Sequence, residues 1–312
     1  MIPAAPPPGA PSPAPEYSGG FTRSHNLQNT SARVANWVAV VFCYASALFA
    51  ITALFLIFGY VAYKGIASMD IALFRELPPH GLRNCIAGTL VLIGMASCLG
   101  VPMGMLCGIY LAEYAGESYF SNFIRLVVDV LAGVPSILVG VLGYELVVVP
   151  MGGNSAWAGA LALGVMMCPI IARTTEEMLK LVPKALREAS TGLGGSKFQT
   201  LFRIVVPAAS SGIITGIMLA VARVAGETAP LLFTALGSDL PVFAFNWRFP
   251  FLHADLNRAF PSLTVKIYQY ANSPEPDLLK QLWAAMLILI ALILVLNVCV
   301  RVISARKQMA MK

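Results

Sequence analysis

The sequence predicts an all-α membrane protein with six transmembrane helices, and three observations carry that expectation. Of its 312 residues, 58% are hydrophobic and 12% charged, with a mean hydropathy of +0.76, whereas soluble domains carry about 25% charged residues. Six apolar runs fall at about 35–63, 84–112, 126–150, 156–179, 208–236 and 281–303; a hydrocarbon core needs about 20 helical residues. The cations are also unevenly placed around these runs. With the N-terminus inside, thirteen of the 21 Lys and Arg fall in cytoplasmic segments and seven in outer ones, and the last, Arg223, lies within a span. That asymmetry predicts both termini in the cytoplasm.

Taken in order, residues 1–34 begin PAAPPPGAPSPAP and then turn polar, which predicts a disordered cytoplasmic tail leading into an uncleaved first span. The spans leave two long outer loops, about 64–83 and 237–280, a short inner loop near 113–125 and a long inner loop at 180–207. In the long inner loop, Pro183 suits a first helical turn, and Lys184 to Ser190 reads as a short helix broken by Gly192, Gly194 and Gly195. Apolar residues at helical spacing resume from Phe198 to Pro207. Two short helices are therefore expected at the cytoplasmic surface before the fifth span. A last span at 281–303 and a tail at 304–312 complete the chain.

Several function classes are excluded. The net charge of +6 sits in loops and forms no continuous basic face for nucleic acid. Cys43, Cys85, Cys98, Cys107, Cys168 and Cys299 form no CxxC pair and read as small apolar packers. His25, His80 and His253 lie in three separate segments, so no metal site is expected. The stretch Gly192 to Phe198 lacks the order of a phosphate-binding loop, which follows a strand. An intramembrane hydrolase has no support either, because no His-Glu-x-x-His motif is present.

The fifth span poses the chemical question. Its stretch AVARVAGETAPLLF, residues 220–233, contains Arg223 and Glu227, and an unpaired charge at the centre of a span costs roughly 2.5–3.5 kcal/mol on insertion scales. Four residues apart on a helix, they share a face. Pro230 removes the helical partner of the Gly226 carbonyl, which predicts a kink there. A free carbonyl at that depth needs protein or a wet cavity, so the charged face should look inward. Two readings stay open: a structural ion pair, or an anion route lined by Arg223, with Glu227 and Thr228 beside it. Arg173, in CPIIARTTEEM of the fourth span, is either a second cation on that route or an interfacial arginine that snorkels. A planar guanidinium suits phosphate and other oxyanions.

The inner loop and the fifth span also carry a resemblance. Glu188, Ala189 and Ser190, then Gly194, Ile204 and Pro207, follow the spacing Glu-Ala-Ala, three residues, Gly, nine residues, Ile-x-Leu-Pro of type I ATP-binding-cassette (ABC) importer permeases. Ser190 stands for Ala and Val206 for Leu. The segments GIITGIMLAVARVAGETAPLLFTA (212–235), PSLTVKIYQYANSPEPDLLKQLWAA (261–285) and NCIAGTLVLIGMASCLGVPMGMLCGIYLAEYA (84–115) resemble the A-type permeases of phosphate-specific importers.

The resemblance implies a cytoplasmic coupling helix at Glu188 to Lys197 and no cofactor in this chain, ATP and magnesium belonging to a partner ATPase dimer. It also implies a second homologous permease and an outside phosphate-binding protein, in a bacterial inner membrane. Lys266 departs from the pattern, where a neutral polar residue is expected, and is a candidate contact to the binding protein. A permease for sulfate or molybdate and an ion-coupled secondary anion transporter are the alternatives.

Overall fold

The computed structural model describes residues 30–78, 80–116, 118–245 and 252–309; of the expected tails, residues 1–29 and 310–312 lie outside them, as does His25. Residues 1–58 and 59–312 form separate units, and the described part of the first is the beginning of helix α1 (Thr30–Ala67). After α1 come α2 (Ala72–Arg75), α3 (Arg83–Glu113) and α4 (Tyr119–Gly133). They are followed by α5 (Ser136–Met151), α6 (Ala156–Lys180), α7 (Lys184–Gly192) and α8 (Lys197–Ala225). The last helices are α9 (Ala229–Thr234), α10 (Leu263–Ala271) and α11 (Pro276–Met309). A short antiparallel ribbon, β1 (Phe243–Phe245) on β2 (Leu252–Ala254), lies between α9 and α10.

Among the described residues, five helices are long and apolar enough to cross a membrane, and α4 with α5, bent by 102°, gives a sixth when the pair is counted as one span. The sequence reading of 126–150 as one straight span is corrected here. Val134, in extended conformation (ψ 130°), precedes Pro135. Proline disfavours a helical residue before it, so the helix stops there.

The expected single helix over 208–236 is corrected at both ends. At its start there is no loop boundary at 207, because α8 begins at Lys197 and runs through Pro207. A π turn, Leu201–Val205, closed by Val206 N–H to the Leu201 carbonyl, widens the helix just before that proline. An i→i−5 turn gives room where a proline ring would otherwise strike the preceding turn. The same device occurs in α5, where the π turn Tyr144–Val148 precedes Pro150. By contrast, α6 continues through Pro169 without one.

The centre of the second unit is the contact of α3 with α6. Gly104 and Gly108 on α3 lie so close to α6 that a methyl group on either would fall 2.8 Å from Ile171 Cβ and 2.5 Å from the Ala172 carbonyl oxygen, respectively. Small residues at four-residue spacing let two backbones approach in lipid, where packing takes over from the hydrophobic effect. Leu92, Leu163, Met167, Ile171 and Val224 are all buried in the resulting core. On α8, Gly212 faces Met178 and Gly216 faces Thr174, which makes α8 antiparallel to α6.

Candidate functional site

The arginine and glutamate of the fifth span sit at a break, not on one continuous helix. α8 ends at Ala225, with Gly226 and Glu227 N–H groups donating back to the Arg223 and Val224 carbonyls at 3.2 and 3.1 Å. Gly226, Glu227 and Thr228 are non-helical, and α9 starts with Pro230 in its first turn. The bend expected at Gly226 and Pro230 is thus a full interruption, from Gly226 to Thr228. Proline is well placed at the beginning of a helix, where its missing N–H costs nothing. Thr228 accepts the Leu232 N–H through its carbonyl at 3.1 Å. The break is held from outside by the Thr264 hydroxyl, which donates to the Glu227 carbonyl at 3.2 Å, and α5 packs so closely that a methyl on Gly140 would lie 2.8 Å from Pro230 Cα.

Across this break Arg223 Nε stands 3.8 Å from Glu227 Oε1, with side-chain exposures of 52% and 19%. The contact is long for a charge-assisted hydrogen bond, which closes to about 2.7–2.9 Å. Most of the guanidinium donors are thus open while the carboxylate is largely enclosed.

Arg173 belongs to a separate cluster. Its guanidinium lies 3.8 Å from Asp129, 3.4 Å from Glu177 and 3.5 Å from Glu176. The antiparallel pairing of α6 with α8 places Arg223 level with Met167, six residues or about 9 Å along the axis from Arg173. The structure does not bring the two arginines into contact.

The centre of that cluster is Glu176, which sequence reading missed. It is 1% exposed, and its Oε1 accepts from Arg125 Nε at 2.9 Å and Lys180 Nζ at 2.5 Å. The i, i+3 and i, i+4 charges of Arg173, Glu176, Glu177 and Lys180 were a readable signal on one helix; Arg125, 51 residues away, was not.

The segment that joins α6 to α8 is held by several side-chain bonds. Ser190, the departure from the loop pattern, is buried and shares a 2.7 Å hydrogen bond with the Thr200 hydroxyl, tying α7 to the start of α8. Gly194 has φ +83°, a left-handed conformation that favours glycine. Ser196 then starts α8 with a reciprocal cap: its hydroxyl accepts the Gln199 N–H at 3.3 Å and Gln199 Oε1 accepts the Ser196 N–H at 3.0 Å. Arg187 bonds the Glu113 carboxylate at the end of α3 and the Leu179 carbonyl at 2.7 Å. Glu188 and Ala189 stay exposed, as do Leu193, Phe198 and Pro207, while Ile204 is half-buried.

Residues 100–308 match the binding-protein-dependent transport system inner membrane components. The chain belongs to this permease family. Among its relatives is the phosphate transport system permease protein PstA of Yersinia pestis, 43% identical over 282 residues, which make up 88% of this chain and 92% of the relative. The PstA of Haemophilus influenzae is 41% identical over 250 residues, 78% of this chain and 85% of that one. A solved bacterial ABC transporter that imports alginate shares the fold, with a TM-score of 0.59 at 14% identity, covering 88% of this chain and 99% of the other.

In this permease Lys266 has a partner within its own chain. Lys266 is 9% exposed, its ammonium 2.6 Å from Asp239 and 5.1 Å from the centre of the Tyr270 ring. Its charge is thus paired within the chain, with Asp239 of the segment between α9 and α10. Asn84 completes that clamp: its amide donates to the Leu240 carbonyl and its oxygen accepts the Val242 N–H at 2.7 Å.

Proposed function

We propose that this permease carries inorganic phosphate inward across the bacterial inner membrane, with both termini in the cytoplasm, as one of two homologous permeases on an ATPase dimer. An outside phosphate-binding protein delivers the ion; hydrolysis of ATP, with its magnesium, belongs to the partner chain. The names of the PstA relatives support the substrate, and the observation that carries the path is the loose Arg223–Glu227 pair at the α8 break.

The chemistry follows from that geometry. Arg223 offers donors to an oxyanion inside an apolar bundle, where they are worth more than in water. Glu227 repels the same anion and keeps its stay short, which conduction requires. Thr228 lines the break, and Gly226 and Pro230 let the chain turn there. Arg173 offers a later stop toward the end that carries α7. Movement reaches α8 from the ATPase through α7, since Glu188, Ala189 and Gly194 lie in a segment bonded to three spans. A rigid element with two positions is what such coupling needs.

ATP-dependent uptake of labelled phosphate by the assembled complex, with sulfate as competitor, tests the path. Arg223→Ala is expected to assemble and fail to transport. Recovery of transport in the Arg223→Ala, Glu227→Ala double variant would make the pair structural, and equal competition by sulfate would favour a general oxyanion permease.

A further inference from the structure

At the end of the bundle that carries α7, a cleft of about 540 Å³ opens between α3, α4 and α6. Among the described residues, Leu111, Ala112, Gly116, Arg125, Arg173 and Lys180 line it, three of them cations and none a carboxylate. The counter-charge stands behind them. Glu176, almost fully buried, binds Arg125 and Lys180 through Oε1, while Oε2 has only the 3.5 Å contact of Arg173 and no hydrogen bond. Arg125 is pinned further by the Leu111 carbonyl at 3.2 Å and by Asn122 at 3.1 Å. The side chains of Arg173 and Lys180 are 45% and 52% exposed.

Two guanidiniums and an ammonium together present thirteen N–H donors by their chemistry, five, five and three. One buried carboxylate cannot satisfy them. Asp129 and Glu177 stand 3.8 and 3.4 Å from Arg173 Nε, and neither is among the residues lining the cleft. The surplus donors therefore face the cavity.

We propose that this cleft is a second anion site, taking a phosphate-class oxyanion beside the coupling segment. Its chemistry suits either transported inorganic phosphate on its way out or the phosphodiester headgroup of an anionic lipid; the first source rests on the phosphate reading above. Glu176 holds the cations together when the site is empty and keeps its affinity low when it is filled. Arg187 of α7 bonds the carbonyl of Leu179, the residue before Lys180, so the cleft and the coupling helix move together.

The test uses the assembled complex of permeases and ATPase, without binding protein, in nanodiscs of phosphatidylethanolamine with and without phosphatidylglycerol. Binding of labelled inorganic phosphate is measured by equilibrium dialysis, and retained phosphatidylglycerol by native mass spectrometry. Lys180→Gln is expected to weaken one of the two by about tenfold, the loss of one charge-assisted contact, read on folded, assembled complex because the variant also weakens a bond to the buried Glu176. Lys180→Arg restores it. Weakened phosphate binding without phosphatidylglycerol identifies the transported ion; loss of retained lipid identifies the headgroup. If Lys180→Gln and Lys180→Glu alter neither, the cations serve Glu176 alone and the inference is overturned, even where Arg223→Ala abolishes uptake. Weakened binding in a complex whose uptake ignores Arg223→Ala would keep this site and remove the proposed path.

Discussion

Arg187 on α7 bonds the carboxylate of Glu113 at the C-terminal end of α3, and with its second nitrogen the carbonyl of Leu179 near the end of α6. A single side chain thus fastens the short helix α7 to two spans. Both partners are largely enclosed, with exposures of 26% and 10%, so the contact is less screened than a surface pair.

Breaking that link should uncouple the two activities. Arg187→Ala leaves Glu113 without its partner, at a cost of about 1–3 kcal/mol, and lets α7 move without α3 and α6. The expected result is ATP hydrolysis that continues while phosphate uptake falls several-fold, measured as ATP consumed per ion transported. The exchange Arg187→Glu with Glu113→Arg should recover part of the coupling; an unchanged ratio in Arg187→Ala would contradict this role.

The turn between α7 and α8 separates two glycines by sign. Gly194 at φ +83° becomes strained as alanine, by about 1–3 kcal/mol, and Gly194→Ala should lower the melting temperature by a few degrees. Gly192 closes α7 with open space around it. There alanine is the better helix residue by about 1 kcal/mol, so Gly192→Ala should be neutral or stabilising. Thermal melting of the two variants side by side decides it; equal changes in the two would contradict a cost set by the backbone conformation of Gly194.

Tyr270 on α10 offers a pH-dependent test. Its hydroxyl is buried without a hydrogen-bond partner, and burial pushes the phenol up from its ordinary value. An unfolded tyrosine ionises near pH 10. Since the native state resists that ionisation, stability falls as pH rises past this value. Tyr270→Phe should match the parent at neutral pH and lose less above about pH 10. An identical alkaline decline in both proteins, followed by melting, would rule Tyr270 out as its source.

The helices were legible because lipid imposes one rule on every turn, and runs of apolar residues record it directly. The breaks were not. Val134 and Pro135 lie inside a continuous apolar run, and Gly226 lies two residues past the last core contact of α8 at Val224, so hydropathy passes over both. Proline itself was a poor guide: Pro169 and Pro207 lie within helices, Pro135 ends one and Pro230 begins another. At the candidate site, Arg223 and Glu227 were visible as a charged pair on one element. Glu176 was hidden, because its meaning depends on Arg125 from another helix. The Gly100, Gly104 and Gly108 stripe could have been read from its spacing as the α3 face that meets α6.

The π turn Leu201–Val205 makes the aim of Arg223 a matter of counting. Such a turn amounts to one residue more than an α-helix requires, and each residue swings the remainder of the helix by about 100° around its axis. Deleting one residue there would leave α8 apolar, helical and almost as long, yet point its arginine a quarter-turn or more away. The address of the charge is thus written eighteen residues upstream, in a stretch that carries no charge chemistry of the path at all.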